Sequence, residues 1–425
     1  MKRIHRIPWL VGIGLGLGVA LAAQLPPRLT IEEAVRRAEA NHAALSVARA
    51  RVDSAAGWER QAGARPNPVL SVLTENWRFS DTPAFVPFDD LDITAAMTQT
   101  FETGGKRDRR VAVARQDGAI AALERDAVAW QLRQSVRRAF LAALLATKLY
   151  DLQAEQAAFF QQVIEYHRVR VAEGVMPEVD LVRVRLEGEL LAAARDGARL
   201  EAENARRELL RSMGETSFSA GFVLEDPAAA LPVPPAPPDE GELMPRAAEQ
   251  RLEIRLARAG IARAAAQLEL EQVQAKPDWD IEAGYKRTGG FNTVLAGVSV
   301  PLPFFNRNLG GIAAAGAGVR QAEAQLRLTE AQVGADVAQA VDKLRRRRSI
   351  LERVHQGMLD WAEESWRIAL AAYQEGGLDL LRLLEAHRTR NEVSVRHTQA
   401  EMEYRIGWVD LETAVGVELP ARAGQ

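Results

Sequence analysis

Residues 278–302 read DWDIEAGYKRTGGFNTVLAGVSVPL. Trp279, Ile281, Ala283 and Tyr285 are apolar and alternate with Asp278, Asp280, Glu282 and Lys286. Further on, Val294, Ala296, Val298, Val300 and Leu302 share one face and Thr293, Gly297 and Ser299 the other, with Leu295 the exception. A period of two puts one face of a strand against an apolar medium and the other against water. Each segment is about 10 residues long, the length of a tilted strand that crosses a bilayer. A second pair lies upstream. Val69 to Phe79 alternates less regularly, interrupted by Ser71 and Glu75, whereas Leu91, Ile93, Ala95, Met97 and Phe101 alternate with Thr94, Ala96, Thr98 and Thr100. Trp77 and Trp279 are expected in an interfacial aromatic belt. The alternative is two soluble amphipathic hairpins packed on another surface.

Outside these strands the chain is helical by periodicity. Helices are expected over 30–63, 105–172 and 178–213, and again over 242–275, 309–375 and 379–416. A helix of about 68 residues spans about 100 Å, more than any ordinary globular core needs. Heptad spacing marks a seam at Leu145, Leu149, Leu152, Gln156, Phe159, Val163 and Tyr166, and another at Leu351, Val354, Met358, Trp361, Ser365, Ile368 and Ala372. In each half the two shorter helices together match one long helix in length, so stacked end to end they run beside it.

The halves repeat one another. LSVARARVDSAAGWERQAGARPNP (45–68) matches LARAGIARAAAQLELEQVQAKPDW (256–279), aligning Leu45 with Leu256 and Pro66 with Pro277. MTQTFETGGKRDRRVAVA (97–114) aligns without a gap on VSVPLPFFNRNLGGIAAA (298–315), and AEGVMPEVDL corresponds to YQEGGLDL. Residues 226–241, DPAAALPVPPAPPDEG, are too rich in proline for helix or sheet and connect the halves. The expected organisation is a signal peptide over 1–22, repeat 1 over 23–225, the linker over 226–241, repeat 2 over 242–417 and a short tail over 418–425.

The first residues, MKRIHRIPWLVGIGLGLGVALAAQ, carry a basic start, an apolar run from about Ile7 to Leu21 and the small-residue site Ala20-Leu21-Ala22. These are the three parts of a secretory signal, cleaved near Ala22 or Ala23. No later stretch is apolar enough for a membrane helix. The 425 residues are 47% hydrophobic, 26% charged and only 6% aromatic, with a net charge of -3, which lacks the basic excess that draws a protein onto nucleic acid. There is no cysteine, which excludes disulfides, thiolate catalysis, Cys-ligated zinc and a lipid anchor.

Four strands cannot close a barrel, and an open edge in lipid leaves backbone groups unsatisfied. Three copies supply twelve strands and close a pore. The fold class expected is mainly α with membrane β-strands: a two-repeat protomer that closes as a homotrimer into a 12-stranded β-barrel and an α-helical barrel.

Several segments resemble the TolC-like outer-membrane efflux proteins, and among them the CzcC-like branch that serves heavy-metal pumps. They are LTIEEAVRRAEANHAAL (29–45), the GARPNPVL step, FETGGKR (101–107), and the tips EGVMPEVDL and YQEGGLDLLRLLEA. The resemblance covers nearly the whole mature chain. It implies a trimeric channel-tunnel in the outer membrane that projects through the periplasm to an adaptor, or membrane fusion protein, and an inner-membrane pump of the RND type. It further implies a passive exit duct for cations of the cobalt, zinc and cadmium type. The alternative keeps this fold and changes the cargo to drugs or a secreted polypeptide. A periplasmic coiled-coil adaptor is the reading from another class, but adaptors carry one hairpin between small β domains and this chain has two.

At the strand-to-helix turn, Gly104 and Gly105 permit a sharp bend through positive φ, with Thr103 a candidate N-cap; in the second repeat Pro301 and Pro303 end the strand and Asn306 or Asn308 caps. Gly104-Gly105-Lys106 lacks P-loop spacing. The tips, Gly174, Val175 and Met176 in one hairpin and Gly376, Gly377 and Leu378 in the other, are the candidate adaptor contacts. By resemblance the gate falls on Asp180, Tyr373 and Glu385, with a Tyr373–Asp180 hydrogen bond. Leu378 stands where the family carries a basic link, and Arg382 where it carries another acidic ring. Arg382 then either pairs with Asp180 or Asp379, or is solvated while Asp379 caps the next helix.

His42, His167, His355, His387 and His397 lie on expected helices without the close spacing of a metal site, and His387 and His397 do not share a helix face. No resident metal or cofactor is expected. KLRRRR (343–348) reads as a solvated helix face. No catalytic arrangement stands out, and no enzyme activity is expected.

Overall fold

A computed structural model describes residues 26–77, 86, 90–217, 221–226 and 236–419. The expected signal segment, most of the proline-rich linker, Phe79 and residues 420–425 lie outside these.

The first repeat opens with β1 (Arg28–Leu29), α1 (Ile31–Asn41) and α2 (Ala43–Ala62), followed by the strands β2 (Val69–Glu75) and β3 (Asp92–Phe101). It continues through α3 (Lys106–Ala172) and α4 (Glu178–Ser212) to β4 (Val223–Leu224). The second repeat runs α5 (Glu240–Gln250), α6 (Leu252–Gln274), β5 (Trp279–Thr288), β6 (Phe291–Ser299) and α7 (Leu309–Arg353). A π-turn (Val354–Met358) then leads into α8 (Leu359–Gln374), and α9 (Leu380–Val415) closes the chain. The four long strands form one antiparallel sheet in the order β2-β3-β5-β6, and β1 pairs with β4 in a separate two-residue parallel ladder. At 1.5 Å per residue the 67-residue α3 is about 100 Å long.

Both leading helices, expected to be continuous, are broken. His42 (φ -69°, ψ 125°) separates α1 from α2, and Arg251 (φ -60°, ψ 122°) separates α5 from α6. End-to-end stacking is the physical reason. α4 ends at Gly214 (φ +77°), where an ideal Cβ would lie 3.0 Å from the His42 Cα; α9 ends at Gly416 (φ +87°), where one would lie 3.1 Å from the Arg251 Cα. Each extended residue steps α1 or α5 off the axis that the incoming helix end occupies. The breaks are also capped. His42 Nδ1 accepts from the Ala44 N–H at 3.1 Å, and Arg251 Nη1 donates to the carbonyls of Thr413 and Ala414 at 2.7 and 3.1 Å, satisfying the free end of α9.

Counted from the breaks, Leu45 corresponds to Ile254 rather than to Leu256. Each is the third residue of its helix, and both are buried. Deeper in the fold the gap-free offset holds, since the fully buried Val136 and Val337 are 201 residues apart. The two repeats build matching cores, one around Leu132, Val136, Phe140, Leu209 and Met213, the other around Val333, Val337, Val341, Leu411 and Val415. A third cluster, including Ala157, Phe160, Val184, Ala369, Leu383 and Leu384, joins the two hairpins nearer their tips.

The tip glycines Gly174 and Gly376 are 202 residues apart, so the second repeat carries one more residue between core and tip than the first. The π-turn absorbs it. Gly357 lies within this turn, and an ideal Cβ there would meet the Trp361 ring at 3.3 Å. The extra residue moves the seam by one. Leu351 and Val354 are buried as the heptads predict, but beyond the turn Trp361, Ser365 and Ile368 are exposed. Ala362 and Ala369 are buried in their place, with Trp366 and Tyr373 packed against the third cluster. In α3 the seam keeps Gln156 buried and Phe159 and Val163 packed, but at its lower end His167 is buried and Tyr166 exposed.

Gly214→Ala combines a disfavoured φ with a clash against the His42 backbone. It is expected to destabilise the purified protein by about 1–3 kcal/mol, read as a lowered thermal midpoint. Gly57→Ala, on an open helix face, should be neutral or slightly stabilising.

Candidate functional site

Two regions are candidates: the sheet at one end of the long helices and the two turns at the other. In the sheet, directly paired residues share a face. Leu70, Met97, Ala283 and Ala296 form one such row; Val72, Ala95, Tyr285 and Val294 form another; Phe101 pairs with Trp279, and Ile281 with Val298. Most of these side chains are exposed, Val294 at 87%. The reverse face carries Thr98 beside Glu282, Thr100 beside Asp280, and Thr94 beside Lys286. Thr100 Oγ1 donates to Asp280 Oδ1 at 2.6 Å. Exposed apolar rows on one face are the inverse of a soluble sheet packed on a core, although Val69 and Leu73 place apolar side chains on the reverse face as well. The close approach of β3 and β5 requires Gly284, where a Cβ would lie 2.4 Å from the Ala95 carbonyl oxygen. β6 ends at Ser299, before Val300 and Leu302, because Pro301 cannot continue the ladder.

The two tryptophans lie at opposite ends of this sheet. Trp279 pairs with Phe101 beside the helices, and Trp77 follows β2 at the far end, where its Nε1 donates to Thr74 Oγ1 at 3.1 Å. Both are about half exposed. The nine residue steps from Phe101 to Asp92, at about 3.3 Å per residue, are about 30 Å long, the length that a strand tilted by about 35–45° needs to cross an apolar band about 25 Å tall.

At the strand-to-helix turns, Gly104 (φ +69°) and Gly105 (φ +75°) take the left-handed conformation expected of them. The N-cap position is held by Gly105, not Thr103. Thr103 instead ties β3 to β5, its N–H donating to Asp278 Oδ1 at 2.9 Å and its hydroxyl to the Pro277 carbonyl. Lys106 Nζ reaches the other Asp278 oxygen at 2.8 Å. In the second repeat Asn308 takes the cap position at φ +54° and its side chain accepts from no helix N–H; its amide donates to Glu271 of α6. Asn306 Oδ1 accepts from the Asn308 N–H at 3.0 Å.

At the opposite end both tips use one motif. Gly174 and Gly376 share φ +75°, and the following N–H groups, of Val175 and Gly377, bond back to the Arg170 and Ala372 carbonyls at 3.0 and 2.9 Å. Val175 is exposed, whereas Met176 is half-buried and Leu378 packs on the third cluster. Tyr373 does not bond Asp180 within the chain. Its hydroxyl meets His167 Nε2 at 2.7 Å, and His167 Nδ1 bonds the Val163 carbonyl at 2.8 Å. Burial, with Tyr166 and Asp180 nearby, raises the Tyr373 hydroxyl above its ordinary pKa. Asp180 pairs with Arg183 at 3.6 Å. Asp379 caps α9, accepting from the Arg382 N–H at 2.9 Å, and the Arg382 side chain makes no ion pair among the described residues. Glu385 is exposed one turn further along.

Above the tips lies a group of side chains that sequence reasoning missed. His387 is buried between Phe159, Phe160 and Trp366, with ring centroids 6.1, 4.9 and 5.2 Å away, and its Nε2 has no hydrogen-bond partner among the described residues. Arg388 forms an ion pair with the buried Glu187 of the other hairpin, with Nε 2.9 Å from Oε1. Higher still, His355 Nδ1 and His397 Nε2 are 3.2 Å apart. A signal for this last pair was present. Each histidine stands 21 residues from Gly376, so an antiparallel hairpin turning there sets them side by side.

Burial pushes the His387 imidazole down to about 4, with Arg390 adding to the effect. A folded value below the ordinary one means that the folded state holds the neutral ring, so its stability is complete above about pH 6.5. That stability is lost as pH falls toward 4, by up to about 3 kcal/mol. His387→Phe, which keeps the ring contacts and removes the titration, is expected to flatten the thermal midpoint over this interval relative to the wild type.

The outer membrane efflux protein model matches residues 34–215 and again 243–417. The cobalt-zinc-cadmium resistance protein CzcC of Cupriavidus metallidurans is 27% identical over 371 residues, covering 87% of this chain and 85% of that protein. The nickel and cobalt resistance protein CnrC of the same organism is 28% identical over 343 residues, covering 78% and 75%. Among solved structures, the outer membrane protein VceC from Vibrio cholerae has a TM-score of 0.73 at 21% identity, covering 91% of this chain and 96% of that one. The Campylobacter jejuni CmeC outer membrane channel has a TM-score of 0.73 at 14% identity, covering 93% and 87%. The fold is therefore that of the outer-membrane channels, and with its family model matched twice along its length the chain belongs to the outer membrane efflux protein family.

Proposed function

We propose that this chain is the exit duct of a tripartite efflux pump, closing as a homotrimer whose three sheets join into a twelve-stranded barrel in the outer membrane. The observation that carries this reading is the four-stranded sheet, with its apolar exposed face, its polar reverse face and its unpaired outer edges on β2 and β6. Unpaired strand edges do not persist in lipid, and pairing β6 of one copy with β2 of the next satisfies both. The helices continue the tube into the periplasm, and their tips contact the adaptor of an inner-membrane pump of the RND type. A cleaved signal peptide over residues 1–22 supports export to that location. Repeats over 23–225 and 242–417 accord with the two spans matched by the family model.

The cargo is a divalent metal cation of the cobalt, zinc or cadmium kind. Support comes from the names of the relatives, which are resistance proteins for these metals and nickel. A strain lacking the gene should become sensitive to cobalt, zinc or cadmium while its tolerance of several unrelated drugs stays unchanged. Drug sensitivity without metal sensitivity would transfer the duct to another pump. Recovery of the protein in a periplasmic supernatant without detergent would refute a channel altogether.

The gate lies at the tips, where Tyr373 is held by His167 and Asp180 stands near its ring. Tyr373→Phe removes the hydrogen bond and keeps the ring; Asp180→Ala removes the charge. Either is expected to raise single-channel conductance in planar bilayers. Unchanged conductance in both variants places the constriction elsewhere.

A further inference from the structure

His355 lies in the π-turn and His397 on α9, side by side in the hairpin that turns at Gly376. In the first repeat, which has no extra residue at this level, the corresponding positions are Ala154 and Arg195. A single hydrogen bond joins Nδ1 of His355 to Nε2 of His397 at 3.2 Å. Two nitrogens bound to one tetrahedral ion at about 2.0–2.1 Å sit about 3.3 Å apart, so the observed separation is already that of ligands on a common cation. The rings are 26° from parallel with centroids 5.4 Å apart.

The surroundings set the strength of such a site. Glu401, one turn along α9 from His397, is engaged by Arg405, which also binds Asp226 at 2.6 Å; Lys148 holds Asp226 from α3 at 2.5 Å. That carboxylate is committed to its ion pair. No cluster of three or more metal-ligating side chains occurs among the described residues. Two imidazoles with water in the remaining positions bind a cation without the closed shell that makes structural zinc sites slow to release.

We propose that His355 and His397 form a weak, exchangeable binding site for a borderline divalent cation of the first transition series, such as zinc or cobalt. Imidazole ligands select this class over calcium and magnesium. Occupancy of the site does not depend on the cargo; its use in transport rests on the cation-duct reading above.

The test is equilibrium dialysis of the purified full-length protein in detergent against zinc ion, with magnesium as the control cation. Roughly one zinc per chain is expected, with magnesium unbound. His355→Gln and His397→Gln keep a polar side chain and are each expected to weaken zinc binding by about tenfold or more. Zinc should also slow modification of these two histidines by diethyl pyrocarbonate and leave His42 unprotected. Unchanged zinc binding in the double variant, or no protection of either ring, overturns the proposal. Loss of zinc binding by the variants in a protein whose deletion leaves metal tolerance unchanged would keep the site and remove the cation-duct reading.

Discussion

Two close backbone contacts hold this protein in its shape: Gly214 against His42 and Gly416 against Arg251. Each seats the end of one helix on the start of another, so that two short helices together run beside one long one. Only glycine fits, because the chain needs both positive φ and an approach that a Cβ would block. From these junctions the sheet extends in one direction and the hairpins in the other. The matching cores sit around the junctions, which is where a 100 Å helix most needs lateral support.

The sheet depends on this frame in a different way. It has no core of its own. Most of its apolar side chains share one exposed face, the reverse face carries its charged and threonine side chains together with Val69 and Leu73, and its two edges are open. In water such a sheet would be an aggregation site. In the proposed membrane trimer, lipid and neighbouring copies reverse that penalty, and the same residues then stabilise the assembly.

Much of this was legible in the sequence. Period-two alternation located the strands, the length match implied the stacked helices, and positive φ at Gly104 and Gly105 followed from the sharp turn. What escaped notice depends on contacts between distant segments. The breaks at His42 and Arg251 leave no composition signal, since neither residue disfavours helix and the cause is the incoming end of α4 or α9. The shifted seam beyond Val354 arises from a single inserted residue, and a heptad count tolerates that residue without showing it. Tyr373 finds His167 rather than Asp180 because the buried face of α3 at its lower end carries the histidine. His355 and His397 are 42 positions apart, and only counting outward from Gly376 reveals that they meet.

The inserted residue bears on the symmetry of the trimer proposed above. In such a trimer of two-repeat chains, six hairpins would end in six turns built on the same glycine geometry, Gly174 and Gly376 alternating around the ring. A protein that touches the turns alone meets six nearly equivalent seats. One that climbs about six helical turns higher meets the π-turn on every second hairpin, and counts three.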